Sequence, residues 1–407
     1  MDKARVGRGE LRTPELRIPD EVLRIARRLE EAGYETWCVG GAIRDNLLGI
    51  PNADFDLATA APPEVVRKLF RRTVPVGIEH GTVAVLDRNR QPHEVTTFRR
   101  DVVTDGRHAV VEFGASLEED LARRDFTVNA IAYHPLRKEW RDPFGGREDL
   151  EAGLLRAVGD PDQRFREDYL RILRLLRFAA RFGFKIDPAT WEAARRNAGG
   201  LRLLSAERVR DEWFKGLESA ERPSELVRLW RDVGAVPIWL PELGDASRDA
   251  VLDRFASRDP VLMTAYLSSD PAATLERLRC SNAAIDRGRR IGEHRGDWPD
   301  LASGASVRRW MSRVGSAVDD LLAIAAAEGR EGAAELVAAV GEVRRSGAPL
   351  SVSDLAVNGR DLMQAGVPQG PEVGRMLRRL LDRVLEDPSA NTREELLRMV
   401  REEYGKG

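Results

Sequence analysis

Residues 39–58, VGGAIRDNLLGIPNADFDLA, constrain this chain more than any other stretch. Residues 36–39 are an apolar run that reads as a buried strand. Gly40 and Gly41 follow, then a short amphipathic helix over 42–48, which Gly49 stops and Pro51 keeps stopped. A strand resumes at Asp54-Phe55-Asp56-Leu57. Alternate residues of a strand share a side, so Asp54 and Asp56 present two carboxylates together. Carboxylates that close repel each other unless a cation sits between them. An oxygen-only pair suits Mg²⁺ that also holds substrate phosphates. The two glycines let a phosphate approach backbone N–H groups at the start of a helix. An Asp-x-Asp alone is commonly a solvated turn, and Gly-Gly before a helix is common too. Both in order, with Arg44 three residues past Gly41, point to phosphoryl or nucleotidyl transfer.

The chain has 407 residues, enough for two to four domains, and its 42% hydrophobic content can fill real cores. The formal net charge of −2 exerts no global pull on nucleic acid, so such a partner needs local patches. Only six of the 65 basic residues are Lys. Cys38 and Cys280 are too few for a disulfide framework or a cysteine zinc site and fit a reducing cytosol, so the expected location is cytoplasmic. No signal peptide and no apolar run of membrane-spanning length is read, and no repeat or low-complexity tract. No membrane association and no required protein partner are expected.

The segments divide into an N-terminal arm (1–18), an α/β head (19–150), a helical neck (151–220), a helical body (221–345) and a helical tail (346–407). In the head, helices are expected over 19–32 and 62–70 and strands over 74–78, 82–87 and 94–98. That order implies one mixed sheet with helices on one side. From about residue 161 everything reads as helix.

Four further stretches carry polar chemistry. HEVTTFR (93–99) alternates like a strand, and Glu94 is either a third carboxylate beside Asp54 and Asp56 or a solvent-facing strand residue. Residues 99–113 read as a charged mobile loop. In LARRDFTVNAIAY (121–133), Asp125 and Asn129 are neighbours on a helical turn. Arg124 can neutralise a triphosphate, and Asp125 or Asn129 can take a ribose hydroxyl; the plain alternative is a helix start capped by Asp125. DPFGGREDL (142–150) is a turn that fixes the joint between head and helices.

EDYLRILRLLRFAARFGF (167–184) reads as one helix, with Asp168 and Arg171 on one side and Arg174, Arg177 and Arg181 following at helical steps. The plain reading is a ladder of ion pairs on a solvated face. The functional reading is base selection. Cytosine and adenine each offer an amino donor beside a ring-nitrogen acceptor. An accepting Asp beside a donating Arg matches both and mismatches uracil and guanine.

Taken together, GGAIRDNLLG…DFDLAT, RRDFTVNAIAY, DPFGGREDL, EDYLRILRLLRF and SAERVRDEWFKGL…LWRDVGAVPIWLPEL resemble the ordered motifs of the class II tRNA nucleotidyltransferase / poly(A) polymerase family. LAVNGRDLMQAGVPQG and VLEDPSANTREELL resemble its tail, so the likeness runs from about residue 34 to 399. The resemblance implies an α/β polymerase-β-like nucleotidyltransferase head with a mixed sheet, followed by an all-helical neck, body and tail. It implies that Asp54 and Asp56 hold Mg²⁺, with Glu94 as third carboxylate. Gly40, Gly41 and Arg44 would bind the triphosphate, and Arg124, Asp125 and Asn129 the phosphates and sugar. Asp168 and Arg171 would read the base, supported by Arg174 and Arg177. The implied activity is addition of C, C and A to a tRNA 3′ end from CTP and ATP, by two-metal nucleotidyl transfer that needs no protein general base. The helices would meet the tRNA acceptor arm through backbone and shape, with arginines of 164–181 and 195–210 supplying charge.

Siblings in the family add only CC, add only A, or make poly(A). CC-adding relatives tend to have a shortened loop where 99–113 is complete, and poly(A) polymerases a longer basic tail than 393–407. A catalytically silent RNA-binding relative would lack the metal pair, which is intact here. Two departures stand out: Arg107-His108-Ala109 lacks a proline found in many members, and Tyr169 stands where many have Pro or Ala. The five histidines (His80, His93, His108, His134, His294) are scattered, so no appended phosphohydrolase domain is expected.

Overall fold

The computed structural model describes residues 15–77, 81–104, 109–244 and 246–404, with side chains omitted for 101–104 and 109–111. The arm up to residue 14, His80, the Arg107-His108 pair and residues 405–407 lie outside the described residues. By internal packing the chain divides into two units, Met1–Pro241 and Glu242–Gly407.

The first unit opens with α1 (Asp20–Glu31), β1 (Thr36–Val39), α2 (Gly41–Leu47), β2 (Asp56–Thr59) and α3 (Pro63–Leu69). Strands β3 (Thr73–Pro75), β4 (Thr82–Leu86), β5 (Pro92–Thr97), β6 (Arg99–Thr104) and β7 (Ala109–Phe113) follow. Then come α4 (Leu117–Ala122), a 3₁₀ turn at Thr127–Asn129, β8 (Ala132–His134) and β9 (Glu139–Arg141). The main sheet has seven strands in the order β3-β4-β5-β2-β1-β8-β9. Only β2 and β5 pair in parallel within it. All four residues of β1 are buried, which is why a continuous apolar run marks it.

Helices cover both faces of this sheet rather than one. Trp37, Val39 and Ala58 pack with Leu117 and Leu121 of α4 and with Ala130, Ala132 and Val158. By alternation Cys38 and Leu57, both fully buried, point the other way, where α1 and α3 pack. The mobile loop expected at 99–113 is instead an antiparallel pair of strands, β6 and β7. Its charges hide the pattern: Arg100 pairs with Glu112 across the strands at 2.8 Å.

The neck begins with α5 (Gly146–Ala152), β10 (Leu154–Leu155), α6 (Pro161–Glu167), α7 (Leu170–Phe182) and β11 (Lys185–Ile186). It continues through α8 (Pro188–Asn197), α9 (Ala206–Ser219), α10 (Pro223–Val233) and α11 (Val236–Trp239). Helix α10 packs on α7 and α9, so residues 221–241 belong with the neck and not, as expected, with a body starting at 221. The 142–150 stretch does form a joint. Thr127 donates its hydroxyl to Asp149 at 2.7 Å, and Arg156 reaches both Asp149 and, at 3.1 Å, Asp187.

The second unit is helical: α12 (Pro260–Leu267), α13 (Pro271–Arg277), α14 (Asn282–His294), α15 (Gly304–Val314), α16 (Val318–Glu328), α17 (Ala333–Ser346), α18 (Gly359–Gln364), α19 (Pro371–Glu386) and α20 (Arg393–Tyr404). Leu355, Val357, Leu362, Val367, Met376, Leu380, Val384, Leu396, Leu397 and Val400 form a buried cluster of their own within α18–α20 and the turn before them. Among the described residues no helix is long and apolar enough to cross a membrane.

Candidate active site

The carboxylates gather where β1, β2 and β5 run side by side. Asp56 opens β2 and pairs with Val39 of β1. On its other side the parallel register sets Leu57 against Val95, which brings Asp56 beside Glu94. Asp54 is not in the strand, contrary to the alternation argument. It sits exposed in the loop before it, with its N–H donated to Asn52 Oδ1 at 2.9 Å. Pro51 and the asparagine turn hold the chain out of the ladder there. The charges nevertheless interact. Burial, then Glu94, then Asp54 raise the Asp56 pKa to about 6, with Arg124 opposing.

Gly40 makes room for this centre. It takes φ = 82°, where a side chain is strained, and joins β1 to α2. A Cβ there would lie 3.3 Å from Asp56 Oδ2 and 3.4 Å from Arg124 Nη1, so the turn, the carboxylate and the guanidinium share one small space. Arg124 is held from behind by Asp120, 3.3 Å from its Nη2, and its buried Nε has no hydrogen-bond partner in the protein. That side chain is aimed and only partly satisfied, as a phosphate ligand would be.

Arg44, Asp125 and Asn129, expected to contact the triphosphate and sugar, are all buried, at 4%, 7% and 6% exposure. Arg44 Nη1 donates to Asn129 Oδ1 at 2.6 Å, and Asn129 Nδ2 donates to Asp125 Oδ1 at 2.9 Å. The other oxygen of Asp125 takes both Nε and Nη2 of Arg174 at 2.7 Å. Burial alone would push Asp125 up; Arg174 above all, then Asn129 and the Phe126 N–H, outweigh it and hold the carboxyl at about 2. The Arg44 guanidinium lies beside the paired rings of Phe178 and Phe182, 4.9 Å from each centroid. Burial lowers its pKa against the pull of Asp45. Arg44 still touches the phosphate turn, since its Nη2 lies 3.5 Å from the Cβ position of Gly41. These residues brace the arginines and the turn, a task that a lone motif does not reveal.

The stretch over residues 167–184 is also built differently from the expectation of one helix. Helix α6 ends at Glu167 and α7 starts at Leu170, leaving Asp168 extended between them with φ −153° and ψ 106°. Asp168 Oδ1 takes the Leu170 N–H at 3.0 Å and its Oδ2 takes Arg208 Nη2 at 2.7 Å. Arg171 Nη1 instead pairs with Glu167 at 2.7 Å, and its Nη2 donates to the Arg123 carbonyl at 2.9 Å. Arg177 pairs with Glu212 at 2.6 Å and lies over Phe178. The break is braced by Tyr169, whose ring lies so close on Gly200 that a Cβ there would be 2.1 Å from Cε1. Asp45, Asp120, Arg208, Glu212 and Gly200 were not singled out from sequence. The only hints were that Asp45 adjoins Arg44 and that Arg208 and Glu212 are spaced i, i+4 in SAERVRDEW.

As a whole, the arrangement can hold a phosphate chain on a glycine turn and Arg124, beside carboxylates that repel one another. Mutual repulsion on Asp56 is relieved by a divalent cation, so the donor set fits Mg²⁺ or a similar hard ion. Among the described residues no three His, Cys, Asp or Glu side chains close around one point. The fit is therefore to an ion that completes its shell with phosphate oxygens and water.

The poly A polymerase head domain model matches residues 36–156. The probable RNA and SrmB-binding site of polymerase A matches 183–246, and tRNA nucleotidyltransferase domain 2 matches 334–400. The chain is 35% identical to the CCA-adding enzyme of Latilactobacillus sakei over 93% of this chain and 96% of that one. It is 34% identical to that of Limosilactobacillus fermentum, over 92% and 94%. The Bacillus stearothermophilus CCA-adding enzyme in complex with CTP superposes with TM-score 0.80 at 32% identity, covering 94% of this chain and 96% of that one. The Thermotoga maritima CCA-adding enzyme complexed with tRNA shares the fold, with TM-score 0.67 at 21% identity over 94% and 96%. On a likeness that spans head, neck and tail alike, the chain belongs to the tRNA nucleotidyltransferase / poly(A) polymerase family, of which the CCA-adding enzymes are members.

Proposed function

We propose that this protein is a cytoplasmic CCA-adding enzyme, which extends a tRNA 3′ end by C, C and A from CTP and ATP, without a nucleic-acid template, and releases pyrophosphate. The observation that carries the reading is the full-length likeness to CCA-adding enzymes, which takes in the carboxylate pair and the base-reading stretch together. Asp54 and Asp56 hold Mg²⁺, and Glu94 flanks them. Bound there, the metal supplies charge neutralisation for the triphosphate and a lowered pKa for the attacking 3′-hydroxyl. Arg124 and the N–H groups of Gly40 and Gly41 hold the triphosphate, so the α-phosphorus stays in reach of the tRNA end. Asp168, kept in place by Arg208, accepts the amino group of cytosine or adenine. Arg171 leaves Glu167 to donate to the neighbouring ring nitrogen. Arg174 and Arg177, fixed by Asp125 and Glu212, support the base from the same helix. Uracil and guanine turn a carbonyl toward Asp168 and leave both partners unpaired, which is a strong basis for rejection.

The test is extension of a tRNA lacking its last three nucleotides, and of one ending in CC, with Mg²⁺ and CTP, ATP or both, read at nucleotide resolution. Addition of three residues and a stop is the expected result. Addition of two makes it a CC-adding enzyme. Activity on the CC-ending tRNA alone makes it an A-adding one, and a long ladder with ATP alone makes it a poly(A) polymerase.

A further inference from the structure

Asp54 is the one proposed metal ligand whose place the sheet does not determine, because it stands in the loop before β2. What fixes it is a line of hydrogen bonds that begins on α7. Arg181, in the last turn of that helix, donates Nη2 to Asp45 Oδ2 at 3.1 Å. The same Oδ2 receives Asn52 Nδ2 at 3.3 Å. Asn52 then accepts the Asp54 N–H on its Oδ1 at 2.9 Å, while its carbonyl accepts Asn46 Nδ2 at 2.6 Å. Asp45, with a side chain only 5% exposed, is held from the other side by Nε and Nη2 of Arg44 at 2.9 and 2.6 Å. Every polar atom of the Asn52 side chain is used, one end on Asp45 and the other on Asp54. Arg171, one of the two proposed base readers, stands in the first turn of the same helix that carries Arg181 in its last turn, about 15 Å away along one rigid rod. The rings of Phe178 and Phe182, on the same helix, both lie against Arg44.

We propose that Arg181, Asp45 and Asn52 are positioning residues: a relay through which the base-reading helix sets the carboxylate of Asp54, so that accepting a base and completing the metal site become one coupled event. A nucleotide that fits shifts or steadies α7, and the relay transmits that to Asp54. One that does not fit leaves Asp54 loosely set, and turnover fails even when its triphosphate is bound. The relay adds a rate component to selectivity that direct pairing with Asp168 and Arg171 does not supply.

The inference rests on the reading given under Proposed function, and the test separates the two. Full-length wild type, Asn52→Ala, Arg181→Ala, the double variant and Arg181→Lys are compared in three measurements. These are single-nucleotide addition with CTP and with UTP, Mn²⁺ binding to the nucleotide-free protein by electron paramagnetic resonance, and thermal melting. Each alanine variant is expected to weaken Mn²⁺ binding about tenfold, lower kcat with CTP more than it changes KM, and raise the UTP-to-CTP ratio severalfold. Because both cut one relay, the double variant should be no worse than the poorer single one, and Arg181→Lys should recover discrimination. The relay is overturned if the effects multiply in the double variant, if Asn52→Ala leaves Mn²⁺ binding and discrimination untouched, or if melting alone responds. Wild type that fails to extend tRNA overturns the proposed function; wild type that extends it, with variants of unaltered discrimination, overturns only the relay.

Discussion

Asp56 and Asp125 stand in the same candidate active site and are driven in opposite directions. The Asp56 carboxyl is raised to about 6, so the folded chain holds its proton more tightly than the unfolded chain does. Stability tied to that proton is full below the ordinary carboxylate range and is lost as pH rises through about 6. In metal-free protein at neutral pH this costs about 3 kcal/mol, from some two pKa units. Asp56→Asn should therefore abolish nucleotide addition yet melt higher than wild type at pH 7.5 in chelator, with no gain at pH 4. Added Mg²⁺ should narrow the gap by stabilising only wild type. Asp125 is held at about 2, so its contribution is present above the ordinary range and lost as pH falls toward 2. Asp125→Asn leaves the half-buried Arg174 without its anion and should cost about 1–3 kcal/mol in denaturant at pH 7, a difference that shrinks as the titration approaches pH 3. Both residues were singled out from sequence, but the pairing of Asp125 was not legible there, because its partner lies 49 residues away on α7 and no local pattern announces it.

At the scale of elements, what could be read from sequence depended on whether the forces were local. Strand β1 and helix α2 follow from an apolar run and a glycine stop. Helix α7 follows from its buried Leu173, Leu176 and Ala180 at helical spacing. The break at Asp168 does not, since Glu167 through Arg171 is locally compatible with a helix. It exists because Tyr169 packs on the Gly200 backbone and Arg208 pairs with Asp168. The β6–β7 pair was equally hidden, its cross-strand charges reading as a polar loop. The close approach of ring and glycine gives a sharp test. Gly200→Ala drives a Cβ into the Tyr169 ring and should cost about 1–3 kcal/mol as the segment shifts. It should also raise UTP and GTP misincorporation. Tyr169→Ala added to it should recover part of the stability, since the clash is then gone, a non-additivity visible in a double-mutant cycle.

Across the whole molecule, charge is abundant and largely spoken for. Arginines 164, 171, 174, 177 and 181, expected to face RNA, are paired with Glu167, Asp125, Glu212 and Asp45. Arg166, Arg195 and Arg196 also pair, with Asp162 and Glu192, but their side chains are 65%, 54% and 58% exposed, so they are better placed to meet phosphates. tRNA affinity should consequently fall with salt on a shallow double-logarithmic slope, roughly −3 for three or four neutralised phosphates. Replacing Arg166 and Arg196 by Ala should flatten it by about 1 each, in filter-binding titrations from 50 to 300 mM salt. The buried cluster that α18–α20 keep to themselves carries a different consequence, for heat. A segment with its own apolar centre can come apart on its own schedule, so a calorimetric scan should show two transitions instead of one. Warmed between them, the protein would still take up a nucleotide at the head while part of its helical length was already lost. Its failure at high temperature would then begin as a loss of grip on the long substrate, before any loss of chemistry.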